Sequence, residues 1–294
     1  MTRPASLMLL AASLLAAPLG AADWEAVRAV EIARLRSYTE GVVIDDSGDL
    51  YVSHADRISK VTPRGEISEW ARTPSPNGHK IRPGGKHLVC DRKGAVYLIS
   101  ADGRIERRLA ALDYGANDIA LDPGSGGFYF SSPYASQTEP KGTLYYLSAY
   151  GELKVVAENL GFPNGVVLRP DGRALLVGES LYNRILEFPL RAPGEVGPSR
   201  VFAELPSKGV SQLDNKPDGI AFGADGNLYA AHYGMGQVQV LDPQGKLLAS
   251  LPTGAVFTSN VAFGGPRGNQ LYVTGSIGPT EQTAGVLLRL DLPW

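Results

Sequence analysis

The hydrophobic positions of the chain fall into short runs that glycine repeatedly interrupts. Each run opens with a polar or acidic residue, continues as an apolar strand, turns at glycine and resumes as a second strand of branched and aromatic residues. Such side chains suit a pleated, half-buried surface. Six segments follow this order, and their leading residues are Glu40, Asn77, Asn117, Asn164, Asp218 and Asn260. The pattern predicts a nearly all-β chain made of repeated units.

The spacing of the repeats indicates the architecture. The leading residues recur at intervals of 37, 40, 47, 54 and 42 positions, close to the length of a four-stranded propeller blade. The last unit ends before a fourth strand, which residues 30–38 can supply. We therefore predict an all-β, six-bladed β-propeller with four-stranded blades, closed by an N-terminal strand that completes the last blade. An open β-sandwich is the alternative.

Residues 1–22 differ from the remainder of the chain. Arg3 precedes a mostly apolar stretch over residues 5–17, and Gly20 and Ala22 follow as small residues. This order is typical of a cleaved signal peptide, and the stretch is short for a membrane span; an uncleaved anchor is the alternative. We expect one propeller domain over residues 23–294, exported to the periplasm or secreted, with no membrane span after cleavage.

Composition narrows the classes of partner. The chain has 28 Lys and Arg against 30 Asp and Glu, a net charge of −2, and no long basic run, which argues against nucleic acid. Cys90 is the only cysteine, so an intramolecular disulfide and Cys-x-x-Cys metal sites are excluded. We expect a monomer or a weak oligomer that acts on a small molecule.

The leading residues suggest a metal site. Inner strands of propeller blades begin at one height beside the axis, so residues at one repeat phase converge there. With the second unit set aside, the five leading residues present carboxylate or amide oxygens that a hard cation such as Ca²⁺ prefers. The carboxylates of Glu40 and Asp218 match the charge of a divalent ion. The alternative is that Asn and Asp merely open strands after turns.

Several motifs carry a family resemblance. Residues 162–172, 216–222 and 258–266, and Asn117-Asp118 followed by residues 127–130, resemble the senescence marker protein/gluconolactonase/luciferin-regenerating enzyme family. The resemblance extends from about residue 40 to residue 290. It implies a six-bladed propeller with one catalytic divalent cation at the mouth of the central channel, most readily Ca²⁺, with Zn²⁺, Mg²⁺ or Mn²⁺ as alternatives. It also implies hydrolysis of a sugar lactone or related lactone.

Carried over position by position, the resemblance implies Glu40, Asn164 and Asp218 as metal ligands. Asn117 is implied as a fourth ligand or as a residue that holds the substrate. The cation would polarise the lactone carbonyl, and Asp218 or Asp118 would act as general base towards water; a structural role is the alternative for Asp118. Gly115 stands where gluconolactonases with sugar pockets tend to carry arginine, which leaves the lactone itself open.

Two histidines are further candidates for contact with substrate. His79 lies two residues after a leading position, and His232 follows a second strand; structural roles are the alternative for both. Two other functions could use the same ring of side chains. One is a non-catalytic propeller that binds a structural Ca²⁺ and a ligand or partner, and the other is an organophosphate or phosphotriester hydrolase, because a fold does not determine its function.

Overall fold

A computed structural model describes residues 22–135, 137–208, 215–278 and 283–294. Almost all of the predicted signal peptide lies outside these residues, so that prediction stays open. The helical structure in the described part of the chain consists of two short 3₁₀ turns, Trp24–Ala26 and Ser180–Tyr182. No described helix has the length and the apolar character needed to cross a membrane.

The strands form six antiparallel sheets, which confirms the predicted six-bladed propeller. The first three blades contain, in order, β2 (Thr39–Ile44), β3 (Leu50–His54), β4 (Arg57–Val61) and β5 (Ile67–Arg72); β6 (Pro76–Ile81), β7 (His87–Asp91), β8 (Ala95–Ile99) and β9 (Ile105–Ala111); β10 (Ile119–Leu121), β11 (Phe128–Ser132), β12 (Gly142–Leu147) and β13 (Leu153–Leu160). Each of these three sheets follows chain order, because each strand pairs with the one before it.

The remaining blades contain, in order, β14 (Pro163–Leu168), β15 (Ala174–Glu179), β16 (Arg184–Ala192), β17 (Glu195–Val196) and β18 (Arg200–Glu204); β19 (Lys216–Phe222), β20 (Leu228–Tyr233), β21 (Gln237–Leu241) and β22 (Leu247–Pro252); β23 (Phe257–Gly264), β24 (Gln270–Ser276), β25 (Gly285–Asp291) and β1 (Ala29–Leu35). In blade 4, the two-residue β17 pairs with the end of β16, and β18 is the outer strand.

The ring closes through β1. This strand lies antiparallel to β25, with Ala29 opposite Leu290 and Leu35 opposite Gly285. The N-terminal strand is therefore the outer strand of blade 6, as the sequence predicted. Joining the two ends of the chain in one blade holds the ring together and pairs the edge of β25 that an incomplete blade would expose.

Apolar side chains fill the spaces between neighbouring blades. Between blades 3 and 4, for example, Tyr129, Leu144, Val166 and Leu175 are fully buried in one cluster. Burial of each such aliphatic side chain contributes about 1.5–3 kcal/mol. These layers fix the blades relative to one another and so fix the distances between residues at the start of the inner strands.

Five inner strands have a register shift at the leading residue, and four of them share the same β-bulge. In these four, the inner strand advances by three residues while the paired second strand advances by two. The stretches are Thr39–Val42, Pro76–His79, Pro163–Val166 and Pro217–Ile220. A bulge leaves one residue outside the ladder and redirects its side chain. The glycine that follows the leading residue in each of these four strands gives room for the next blade: a Cβ on Gly165 would lie 2.2 Å from the carbonyl oxygen of Asp218.

Candidate active site

A cavity of about 370 Å³ opens where the inner strands begin. Its volume is in the range of small-molecule sites. The wall comes from blades 1 to 5 and from the loops that join their strands. The lining residues are Tyr38, Glu40, Arg92, Asn117, Tyr134, Gln137, Phe162, Asn164, Ser180, Leu181, Lys216, Asp218 and Tyr233. The four residues predicted as metal ligands are thus brought together in one cavity.

The four predicted ligands are buried in the wall, each only 5–6 % exposed. Asn164 Oδ1 has no hydrogen-bond donor within the described residues. A buried carbonyl oxygen without a partner costs free energy, and a cation would satisfy it. Asn117 Nδ2 donates to the Tyr134 hydroxyl at 3.0 Å, so the carbonyl oxygen is the atom of this amide that remains to bind a ligand.

These side chains fit a hard divalent cation. They offer two carboxylates and two amide oxygens, which Ca²⁺ prefers, whereas Zn²⁺ favours imidazole and thiolate. Over the described ranges, no three His, Cys, Asp or Glu side chains come together as a metal site. The amide oxygens of Asn117 and Asn164 are therefore an essential part of the candidate site, and they would complete the coordination begun by Glu40 and Asp218.

Arg92 is a charged residue of the wall that the sequence did not reveal. Its guanidinium donates to the carboxylate of Glu40, and the two form an ion pair. Arg92 lies in the turn between β7 and β8, where its backbone N–H donates to Ser75 O at 2.9 Å. The carboxylate of Asp91 accepts from the backbone N–H groups of Ser75 and Lys93, both at 2.8 Å. The backbone of Arg92 is therefore held firmly beside the cavity.

Two tyrosines in the wall are neutral hydrogen-bonding groups. Burial raises the pKa of Tyr38 well above its ordinary value, and the charges of Glu40 and Asp218 raise that pKa further. Burial also raises the pKa of Tyr134, whose hydroxyl accepts from Asn77 Nδ2 and Asn117 Nδ2 at 3.0 Å. Both phenols stay protonated at neutral pH. Tyr134 orients Asn117 within the wall.

Asp118 does not belong to the cavity wall, although it follows Asn117. It is 1 % exposed, and its Oδ2 accepts from the backbone N–H of Val166 at 3.2 Å. Its Oδ1 has no hydrogen-bond partner in the part of the chain that the structure describes. Burial raises the pKa of this carboxyl. Asp118 therefore lies in the interior of the ring, away from the surface that would meet a substrate.

The two candidate histidines also lie away from the cavity wall. His79 Nε2 and His87 Nδ1 share a hydrogen bond of 2.7 Å, and the His79 ring stacks on Trp70. His232 Nε2 bonds to Asn183 Oδ1 at 2.9 Å, and its Nδ1 bonds to Gln239 at 3.1 Å. Burial lowers the pKa of both histidines, to about 4 for His232, so both are neutral at neutral pH.

The position of each histidine follows from strand geometry. The bulge at Asn77-Gly78 breaks the two-residue alternation, so His79 does not share the orientation of Asn77. On β20, His232 is fully buried, whereas its neighbour Tyr233 lines the cavity, because successive side chains of a strand point to opposite faces.

Gly115 has no room for a side chain. A Cβ at this position would lie 2.3 Å from the carbonyl oxygen of Arg92 and 2.7 Å from Cδ2 of Tyr134. An arginine at position 115 would therefore displace the turn that carries Arg92. The cavity instead receives its guanidinium from the β7–β8 turn.

Three of the wall residues that sequence reasoning missed share one position in the repeat. Arg92, Tyr134 and Ser180 come one or two residues after the end of a second strand. The connections that follow second strands lie at the same end of the propeller as the starts of inner strands, because the two strands are antiparallel neighbours. That phase of the repeat was the signal available in the sequence.

Comparison with known proteins agrees with this fold. Residues 38–277 match the family described as SMP-30/Gluconolactonase/LRE-like region, and the chain belongs to this family. It is 29 % identical over 229 residues to the 6-deoxy-6-sulfogluconolactonase of Pseudomonas putida, covering 76 % of each chain. It is 28 % identical over 236 residues to lactonase drp35 of Staphylococcus saprophyticus, covering 76 % of this chain and 72 % of that one.

A solved structure shows the same architecture. The gluconolactonase of Xanthomonas campestris superposes with a TM-score of 0.74 and 24 % sequence identity, and the match covers 91 % of this chain and 90 % of the other. At this level of identity, the likeness shows the fold.

Proposed function

We propose that the protein is a lactonase that depends on a divalent cation, with Ca²⁺ preferred. Family membership and the two relatives named as lactonases support a lactone-hydrolysing enzyme. The metal requirement is supported by the side chains of Glu40, Asn117, Asn164 and Asp218 around one cavity. The observation that carries it is the buried Asn164 Oδ1, which has no donor among the described residues.

The residues of the cavity would have different roles in hydrolysis. A cation held by the four oxygen ligands would act as a Lewis acid on the lactone carbonyl. Asp218 would accept the proton of the attacking water, since it lines the cavity and Asp118 does not. Tyr38, with its raised pKa, would donate a hydrogen bond to substrate oxygen. Phe162 and Leu181 add apolar surface to the wall and limit the entry of water.

Removal of the metal tests this proposal. Protein treated with a chelator and dialysed is expected to lose hydrolysis of a panel of sugar and aliphatic lactones, followed with a pH indicator. Added Ca²⁺ should restore activity, and Mg²⁺, Mn²⁺ and Zn²⁺ are compared at equal concentration. Circular dichroism of the stripped protein checks that the fold persists. Full activity in excess chelator would contradict the proposal.

Calcium titration separates catalysis from a structural role of the metal. Isothermal titration is expected to give one Ca²⁺ per chain, with binding weakened by Asn164→Ala because that variant removes one ligand. Arg107→Gln, an exposed substitution on β9, is the control and should bind as wild type does. One Ca²⁺ bound without hydrolysis of any lactone would instead favour the non-catalytic propeller.

A further inference from the structure

The charges of the cavity wall indicate the charge of the ligand that it accepts. Among the residues that the structure describes, the wall contains two carboxylates, Glu40 and Asp218, and two cationic side chains, Arg92 and Lys216. These four charges cancel. A divalent cation bound to the carboxylates would therefore give these four side chains and the cation together a net charge of +2. Such a wall attracts an anionic ligand and gives a neutral one no comparable advantage.

Arg92 is the cationic group best placed to meet that anion. Its guanidinium now pairs with Glu40, whose side chain is only 8 % exposed. A cation bound to the same carboxylate would balance the charge of Glu40 in place of Arg92 and would repel the guanidinium. The charge of Arg92 would then add to the positive potential that a substrate meets in the loaded enzyme.

The surroundings of Arg92 allow its side chain to turn. It is 31 % exposed, and it lines both the main cavity and an adjoining cavity of about 180 Å³ that also contains Ser37, His54 and Ser75. The hydrogen bonds of Asp91 hold the backbone, so only the side chain needs to move. The planar guanidinium fork suits two oxygens of one phosphate, sulfonate or carboxylate group.

Lys216 adds a second positive charge from the far side of the ring. It is the first residue of β19 in blade 5, three blades away from Arg92 in blade 2. Both side chains line the same cavity. The positive field would therefore extend over the whole mouth, with Arg92 supplying the directional contact.

We propose that the substrate is a lactone bearing an anionic substituent, which Arg92 binds through its guanidinium and Lys216 attracts by its charge. This inference rests on the proposed lactonase function and names its substrate class. The phosphate, sulfonate and carboxylate forms share the chemistry of an oxyanion, and separate ligands distinguish them in the test.

The test measures binding with rings that cannot be hydrolysed. Full-length protein loaded with Ca²⁺ is titrated calorimetrically with 1,5-anhydro-D-glucitol and with derivatives carrying phosphate, sulfonate or carboxylate at carbon 6. At least one anionic derivative is expected to bind roughly ten- to a hundredfold more tightly than the neutral ring, as a charge-assisted contact provides. Equal binding of all four ligands, or tighter binding of the neutral ring, would overturn the proposal.

Variants assign the preference to Arg92. Arg92→Gln should abolish the preference for the anion, Arg92→Lys should keep part of it, and Lys216→Met should reduce it. Arg107→Gln, on the outer strand of the same blade, should keep it in full. Retention of the preference in a folded Arg92→Gln protein would overturn the role of Arg92. If that variant does not fold, Arg92→Lys and Lys216→Met decide, because unchanged preference in both contradicts the proposal.

Calcium affinity gives a second readout. Arg92→Gln should bind Ca²⁺ at least as tightly as wild type, because the guanidinium no longer competes for Glu40. Much weaker Ca²⁺ binding by this variant would mean that Arg92 holds Glu40 in place for the metal, which contradicts the proposal. A Ca²⁺-dependent lactonase without anion preference would refute this inference alone, whereas the absence of both Ca²⁺ binding and hydrolysis would refute the proposed function.

Discussion

Two clusters of buried polar side chains in this propeller have different surroundings. The channel mouth consists of Glu40, Asn117, Asn164 and Asp218, and the histidine cluster consists of His79, His87, Trp70 and Tyr51 between blades 1 and 2. In the cluster, the two histidines bond to each other and pack against aromatic rings. At the mouth, oxygen atoms surround a cavity, and Asn164 Oδ1 has no donor among the described residues.

The comparison teaches that burial and residue type do not identify a functional site by themselves. Histidine is a common ligand and catalytic base, yet burial lowers the pKa of His87 to about 4, and its hydrogen bond is made within the protein. The amides of the mouth are less reactive groups. Their oxygens face a space that a ligand can enter, and this access marks the site.

The largest difference in activity between a variant at the channel mouth and a variant inside the ring is expected for two aspartates. Asp218→Asn is expected to lower the rate of lactone hydrolysis by roughly 10²–10⁴, the contribution of a general base, with the unfolding temperature nearly unchanged. Asp118→Asn, the matched change inside the ring, should keep most of the activity. Steady-state kinetics on Ca²⁺-loaded protein measures both. If Asp118→Asn lost as much activity as Asp218→Asn, the role of proton acceptor would instead be assigned to Asp118.

The glycines that follow the leading residues should be sensitive to any side chain. Gly165→Ala would place a methyl group 2.2 Å from the carbonyl oxygen of Asp218, so the blades must shift, at a cost of about 1–3 kcal/mol. Urea unfolding measures the loss, and calcium titration measures the displacement of Asp218. Gly124→Ala, where the new methyl group has only an ordinary 3.4 Å contact, is the control and should unfold as wild type does.

The buried histidines should make stability depend on pH. Burial lowers the pKa of His54, His87 and His232 to about 4, against about 6.5 in an unfolded chain. Between these values the unfolded chain binds more protons, so stability is complete above pH 6.5 and falls as the pH approaches 4.

At pH 5, each of these histidines should lower the free energy of unfolding by about 1–2 kcal/mol relative to neutral pH. Urea unfolding at pH 7 and pH 5 measures the difference, and His232→Gln should show a smaller loss than wild type. An identical loss in the variant would assign the acid sensitivity to other groups.

The smallest effect on catalysis is expected at the histidine cluster. His79→Leu leaves His87 without its partner and should lower the free energy of unfolding by about 1–3 kcal/mol. The kcat/KM for a lactone should change less than about twofold in the folded variant, because His79 lies off the cavity wall. A large loss of kcat/KM with unchanged stability would instead indicate that His79 contacts the substrate.

The repeated pattern of the sequence was sufficient for the architecture and for the convergence of its leading residues, among which the family resemblance selected four candidate ligands. A periodic chain places residues of equal phase at equal positions around an axis, whatever the details of the loops. For the same reason, Glu40, Asn117, Asn164 and Asp218 were predicted to converge, and closure by β1 followed from the missing strand of the last unit.

Tertiary structure decided which neighbours these residues meet. The pair of Glu40 with Arg92 joins positions 52 residues apart in different blades, and the depth of Asp118 depends on how blades 3 and 4 pack. The bulge at Asn77-Gly78 turned His79 inward. Such contacts depend on bulges and on packing between blades, which a one-dimensional pattern does not encode, so the charges around the ligands emerged only in three dimensions.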